Sequence, residues 1–432
     1  MLKAFLNAFR VPDLRNKILF TLFIVAVYRF GSHVPVPVIN LHLLTQAASA
    51  TNSGFLAFIN LFSGGGLSRM AVFSLGIMPY ITSSIIMQLL TVVIPKLQQW
   101  QDQGEAGVKK INQWTRYVAV VLALLQSTGL AFLFHSGEST TGIPDVFKNA
   151  AGLSTFTWQN VSLIVITLTA GTALIMWLGE LITQRGVGNG MSILIFVSVI
   201  SRLPTQGYNI LKQGGTGRFT ALLALGIAII FAVVFIDQGQ RRIPIQYAKR
   251  VVGRRMTSGG STYLPLKVNQ AGVIPIIFAT SILYFPSLLA SVIHATWFTN
   301  VVNNYVQNQK SFVYMSILTL LIVFFAYFYT AIQFDPVRTA DQIRKQGGFI
   351  PGIRPGEPTA NFLNDILVRI TLPGSLFLAG IALAPSIVLA YWGFNQFPFG
   401  GTSILITVGV ALETMKQIES QLLMRHYEGF LK

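Results

Sequence analysis

Apolar residues along this chain rarely alternate with polar ones. They gather in long runs, separated by short polar, glycine- or proline-rich breaks. A helix that crosses a bilayer needs roughly 20 apolar residues. Ten runs approach or exceed that length: 18–36, 70–94, 114–134, 158–180, 188–204, 219–237, 269–293, 311–333, 364–390 and 402–424. The pattern predicts an all-α polytopic membrane protein with ten transmembrane helices, since lipid demands internally paired backbone.

One stretch departs from the pattern. Gly54–Pro95 reads GFLAFINLFSGGGLSRMAVFSLGIMPYITSSIIMQLLTVVIP. Its first part, Phe55 to Phe62, is about two helical turns long, too short to span. It holds Phe55, Leu56, Phe58, Ile59, Leu61 and Phe62, all apolar. Gly64, Gly65 and Gly66 follow, and glycine carries the largest backbone entropy cost. The expectation is a short apolar half-helix tied by a flexible joint to a full span from Met70 to Val93. Within that span Ile77, Ile81, Ser84 and Gln88 share one helical face. Ser84 and Gln88 have no use in lipid, so this face is expected to look into protein or water.

Composition agrees with the pattern. The chain is 432 residues long, 52% hydrophobic and only 10% charged, against about 25% charged in soluble domains. Mean hydropathy is +0.60. There is no cysteine, which excludes disulfides and thiolate metal sites. The five histidines are scattered, with no ligand spacing. Residues 1–17 read as a basic amphipathic helix and 18–36 as a retained first span, not a cleaved leader. The formal charge of +17 sits in the loops. With ten spans, most of the 31 Lys and Arg fall on the side of the termini; Arg29, Arg69, Lys148, Arg202, Lys212, Arg218 and Lys310 fall opposite. The positive-inside rule then puts both termini in the cytoplasm.

Few ionisable groups lie inside the spans, which argues against an ion-coupled transporter of small solutes. Prolines punctuate them instead, at Pro79, Pro275, Pro286, Pro373 and Pro385. Two cytoplasmic loops exceed the needs of a connector. In 238–268, alternating residues flank a Gly-Gly turn and predict a β-hairpin. In 335–363, Asp341 to Lys345 has room for one helical turn, and GGFIPGIRPGEP is expected to be irregular. Both loops are basic, suited to lipid head groups, RNA phosphates or an acidic protein surface. The turn RGVGNG allows close backbone approach. No strand precedes it, so it is not a nucleotide-binding loop. The two halves, 1–205 and 206–432, each hold five runs, which suggests a repeat.

Several long motifs occur in order: FSGGGLSR, GIMPYITSSIIMQLL, GELITQRGVGNG, QRRIPIQYAKR, STYLPLKVNQAGVIPIIFA, FIPGIRPGEPTA and FGGTS. Over almost its whole length the sequence resembles the SecY family, the central subunit of the bacterial protein-conducting channel. Val38 stands where that family usually has Gly, and Gly66 where Ala is common. The resemblance implies two pseudo-symmetric five-helix halves around a central pore. It implies a ring of Ile77, Ile81, Ile195, Ile277 and Ile406 at the constriction, and a plug at 55–65. A lateral gate would lie between the second and seventh spans, at Ser84, Gln88, Asn269 and Gln270. Arg241, Arg242, Lys249, Arg250 and Arg354 would dock the SecA motor or the ribosome. Implied partners are SecE, SecG, signal peptides, unfolded secretory proteins and membrane lipid; no cofactor, metal or catalytic residue is implied. The physics is compatible: apolar rings hold back ions by dewetting, and isoleucine is stiff at χ1. The alternatives are a small-solute secondary transporter, with which the broken helix and the prolines are compatible, and a non-transporting assembly scaffold.

Overall fold

A computed structural model describes the chain except residues 1–8, 10, 41–58, 137–146, 148–155, 248–249, 253–254, 258–260, 293–295, 308–310, 393–400 and 429–432. The first apolar run folds as α1, Pro12–Gly31. The second is α2, Met78–Val93, followed by α3, Pro95–Asp102. Then come α4, Glu105–Ser136, α5, Trp158–Arg185, and α6, Gly190–Ile200. The second half holds α7, Leu203–Gln238, α8, Ile274–Val292, and the short α9, Thr296–Val301. It continues with α10, Phe312–Gln333, α11, Pro336–Lys345, α12, Glu357–Trp392, and α13, Gly401–Glu428. Among the described residues, five helical stretches are long and apolar enough to cross a membrane. Most of the expected amphipathic helix at 1–17 lies outside the described residues.

Several boundaries differ from the apolar pattern, each for a local reason. The run 70–94 is not one helix. Gly76 is left-handed at φ +55°, and Pro79 sits in the first turn of α2, where its missing N–H costs nothing. At the other end Pro95 forces Ile94 out of the helical region (ψ 111°), and α2 and α3 meet at 99°. The run 269–293 likewise starts as helix only at Ile274, after left-handed Gly272, with Pro275 in its first turn. Pro79 and Pro275 therefore open helices and do not interrupt them. The expected loop at 205–218 is helical, broken only at Gly215 (φ +73°).

The two long basic loops fold together. Strands β1, Gln240–Tyr247, and β4, Ser261–Lys267, pair antiparallel from Gln240↔Lys267 to Gln246↔Ser261. Strands β2, Arg250–Val252, and β3, Arg255–Thr257, pair with each other beyond them, so the chain reverses between β2 and β3 and not at the expected Gly-Gly turn, which falls between β3 and β4. Gly348–Phe349, expected to be irregular, is strand β5 and pairs with Tyr247 and Gln246. The sheet order is β4-β1-β5. Ile243 and Leu266 are buried against Ile350, Leu363, Ile366 and Leu367, so the sheet rests on the start of α12. The single turn expected at Asp341 to Lys345 is a ten-residue helix, α11. Asp335 starts it early by accepting from the N–H of Val337 and Arg338 at 2.9 and 3.2 Å.

Candidate functional site

The stretch between α1 and α2 is where the chain turns inward. Residues 59–62 are helical, and Phe62 is fully enclosed (0% exposed). Three glycines follow, but they do not form a loose joint. The Gly65 N–H donates to the Asn60 carbonyl at 2.9 Å and the Gly64 N–H to Leu61 at 3.2 Å. Gly64 and Gly65 have φ of +64° and +91°. This is a Schellman closure, which needs glycine at the left-handed position. The flexible link expected from composition is a hydrogen-bonded turn.

That turn seats the helix end against the start of α2. A side chain on Gly76 would sit 2.7 Å from the Phe62 carbonyl oxygen and 2.9 Å from Ser63 Cα. The Ser74 hydroxyl donates to the Gly66 carbonyl at 3.2 Å, and the Ala71 N–H donates there at 2.9 Å. An extended strap supports this from outside, with Val72 N–H to Val34 carbonyl at 2.9 Å and Val36 N–H to Met70 carbonyl at 2.8 Å.

The five isoleucines singled out above converge. Ile77, Ile195 and Ile406 are buried in one apolar cluster with Leu61 and Phe62, and Ile81 and Ile277 pack against it. They come from the start of α2, from α6, from the start of α8 and from α13. Ile77 stands one residue outside α2, and its carbonyl accepts the helix bond from Ile81 at 3.1 Å. Ile59 belongs to a neighbouring cluster with Leu67 and Met70. Phe55, Leu56 and Phe58 lie outside the described residues.

A residue-level repeat that the sequence reading missed explains part of this convergence. Gly76-Ile-Met-Pro79-Tyr-Ile81 and Gly272-Val-Ile-Pro275-Ile-Ile277 share the spacing G-x-x-P-x-I. In both, the glycine is left-handed (φ +55° and +64°), the proline sits in the opening helical turn, and the isoleucine follows two positions after it. Each half thus opens a helix at the cluster in the same way.

The other singled-out residues are less concentrated. Ser84 and Gln88 are half-buried on α2. Asn269 and Gln270 are half-buried in the bend ahead of α8, not on it. The Gln270 Oε1 is buried with no hydrogen-bond partner among the described residues. Ile85 of α2 packs against the α8 cluster of Ile276, Phe278 and Ala279. Arg241 and Arg242 are exposed on β1, and Arg354 is exposed in the loop after β5. The β1–β5 pairing therefore brings the two basic loops together. Lys249 and the side chain of Arg250 lie outside what the structure describes.

Among the described residues, residues before and after 205 also meet at two further places. At one, Leu14 and Ile18 of α1 and Val187 pack against Ile418 and Leu422 of α13. The RGVGNG turn makes this possible. A side chain on Gly190 would sit 1.8 Å from the Gly179 carbonyl oxygen, and Gly188 is left-handed at φ +83° beside Thr414. At the other, Arg338 of α11 pairs with Asp102 of α3 at 2.7 Å.

The SecY family model matches residues 71–415. The protein translocase subunit SecY of Streptomyces coelicolor is 52% identical over 100% of both chains. The chain belongs to the SecY family. Solved SecY-family structures share the fold. One, described as showing that the plug domain of SecY stabilises the closed translocation channel and maintains a membrane seal, aligns with TM-score 0.63 at 17% identity, over 94% of this chain and 92% of that one. Canine Sec61 from a ribosome–channel complex of the endoplasmic reticulum aligns with TM-score 0.60 at 15% identity, over 94% and 92%.

Proposed function

We propose that this chain is a passive protein-conducting channel of the bacterial cytoplasmic membrane, multi-pass with ten spans and both termini in the cytoplasm. Unfolded secretory polypeptides pass along its axis, and hydrophobic segments leave sideways through a gate between α2 and α8. The observation that carries this is the single apolar cluster joining Leu61 and Phe62 to five isoleucines drawn from four regions of the chain. An apolar waist holds back ions by dewetting while gripping no particular side chain, which suits a cargo of arbitrary sequence. Residues 55–65 act as the plug. Their apolar contacts are replaceable, so a hydrophobic signal peptide that separates the halves shifts the population towards the open state.

Bond-making plays no part in this mechanism, so a cytoplasmic partner must push. The shared sheet under Arg241, Arg242 and Arg354 supports docking of SecA or the ribosome. The canine neighbour was solved in a ribosome–channel complex, which favours the second. SecE and SecG would complete the channel from the lipid side. Deleting residues 55–65 is expected to make resting vesicles leak ions, and charge reversal at Arg354 to weaken SecA or ribosome binding. Tight vesicles after the deletion would count against the plug, and unchanged binding would count against the docking surface.

A further inference from the structure

The helix that ends at Phe62 leaves its last carbonyls without intrahelical partners. The Schellman turn satisfies those of Asn60 and Leu61. The next ones are met from another helix. On α1, the Tyr28 hydroxyl lies 2.6 Å from Ser198 Oγ and reaches the Phe62 carbonyl at 3.4 Å. Beside it, Arg29 Nη1 donates to the Gly64 carbonyl at 3.0 Å and to Ser201 Oγ at 3.0 Å. Ser201 Oγ in turn donates to the Ser198 carbonyl at 2.8 Å. Three separate pieces of chain, α1, the glycine turn and the end of α6, therefore meet at one guanidinium.

An arginine in the last turn of a membrane helix ordinarily needs no further role, because it favours its own helix terminus and reaches for the interface. Arg29 is half-buried and points the other way, onto a backbone carbonyl 35 residues along the chain. Among the described residues it pairs with no carboxylate; its side-chain partners are a carbonyl and a hydroxyl. That choice has a consequence. A guanidinium–carboxylate pair leaves an uncompensated charge when it is pulled apart. A carbonyl can be released to water, and Arg29 keeps Ser201. The contact is strong enough to hold and cheap enough to let go.

We propose that Arg29 is the positioning residue of the plug: it bolts the glycine turn at Gly64 to α6 through Ser201 at rest, and releases it when the plug leaves. This rests on reading residues 55–65 as a plug, and the test separates the two. Full-length chains carrying Arg29→Met, Arg29→Lys, the 55–65 deletion, and Arg29→Met combined with the deletion are reconstituted in vesicles, and resting ion flux is measured. Losing one charge-assisted hydrogen bond is expected to raise the leak of Arg29→Met about tenfold. Arg29→Lys is expected to restore most of the seal, and Arg29→Met to add nothing once the plug is gone. A leaking deletion beside a tight Arg29→Met overturns the inference and leaves the plug standing. If neither leaks, the plug reading falls and takes the inference with it. If Arg29→Met adds to the leak of the deletion, Arg29 holds helices together and not the plug, and the inference is wrong. Should Arg29→Met fail to accumulate, Ser201→Ala removes only the anchor. It is expected to leak about two- to fivefold more than the parent, and a parental flux there overturns the inference equally.

Discussion

Replacing Phe62 with alanine tests whether the plug and the waist share one core. The Phe62 ring is wholly enclosed, in the cluster that holds Ile77, Ile195 and Ile406. Burying and then deleting a phenylalanine side chain costs about 3–5 kcal/mol, combining lost transfer energy with the cavity left behind. The backbone at Phe62 is held close to Gly76, where a side chain would sit 2.7 Å from the Phe62 carbonyl oxygen, which leaves the main chain little room to collapse. If the ring leaves the cluster whenever the plug moves out, that cost falls on the seated state alone. At about 1.4 kcal/mol per factor of ten, even the lower figure raises the unseated fraction over a hundredfold. The assay is resting ion flux through purified channels in vesicles, read beside thermal stability. Leu363→Ala is the control: Leu363 is equally enclosed, but under the β4-β1-β5 sheet. It is expected to lower stability without raising flux. Phe62→Ala vesicles as tight as the parent, or Leu363→Ala vesicles equally leaky, would refute the reasoning.

Two smaller changes probe other parts of the fold. Val38 adopts φ +75°, where a β-branched residue is strained and glycine is not; Val38→Gly is expected to raise thermal stability by about 1 kcal/mol, seen as a higher unfolding temperature. Arg338 and Asp102 are about half-exposed at 53% and 46%, so a double-mutant cycle across the pair is expected to give a coupling of at most about 1 kcal/mol, falling as salt is added.

Much of the fold was legible because lipid imposes a simple code. The apolar runs fall on helices from α1 to α13, and the alternation in IPIQYAKRVV and TYLPLKV marks strands, though the chain reverses between β2 and β3 and not at the Gly-Gly pair. What stayed hidden depends on partners far along the chain. Strand β5 is two residues long and exists only because β1 offers an edge about a hundred residues away. The three glycines of FSGGGLSR read as slack, since composition does not say whether their amides have acceptors; here Leu61, Asn60 and Ser63 provide them. Arg29 looked like one more loop charge, because its acceptor at Gly64 is remote. The G-x-x-P-x-I pair at Gly76 and Gly272 was readable in the letters alone. Proline inside an apolar run reads as a break in a span, whereas Pro79 and Pro275 mark where helices begin. Val38 is similar: a departure from the family pattern became informative only with its backbone angle.

The central claim is that a polypeptide passes through the isoleucine cluster. The direct measurement is site-specific photocrosslinking to a secretory chain stalled in transit, with the reactive group placed in turn at Ile81, Ile277, Phe231 and Phe235. Phe231 and Phe235 are 77% and 72% exposed on the outer face of α7 and serve as lipid-side references. Strong crosslinks from both Ile81 and Ile277, and none from the two phenylalanines, are the expected result. A stalled chain that crosslinks to the phenylalanines and to neither isoleucine would contradict the account.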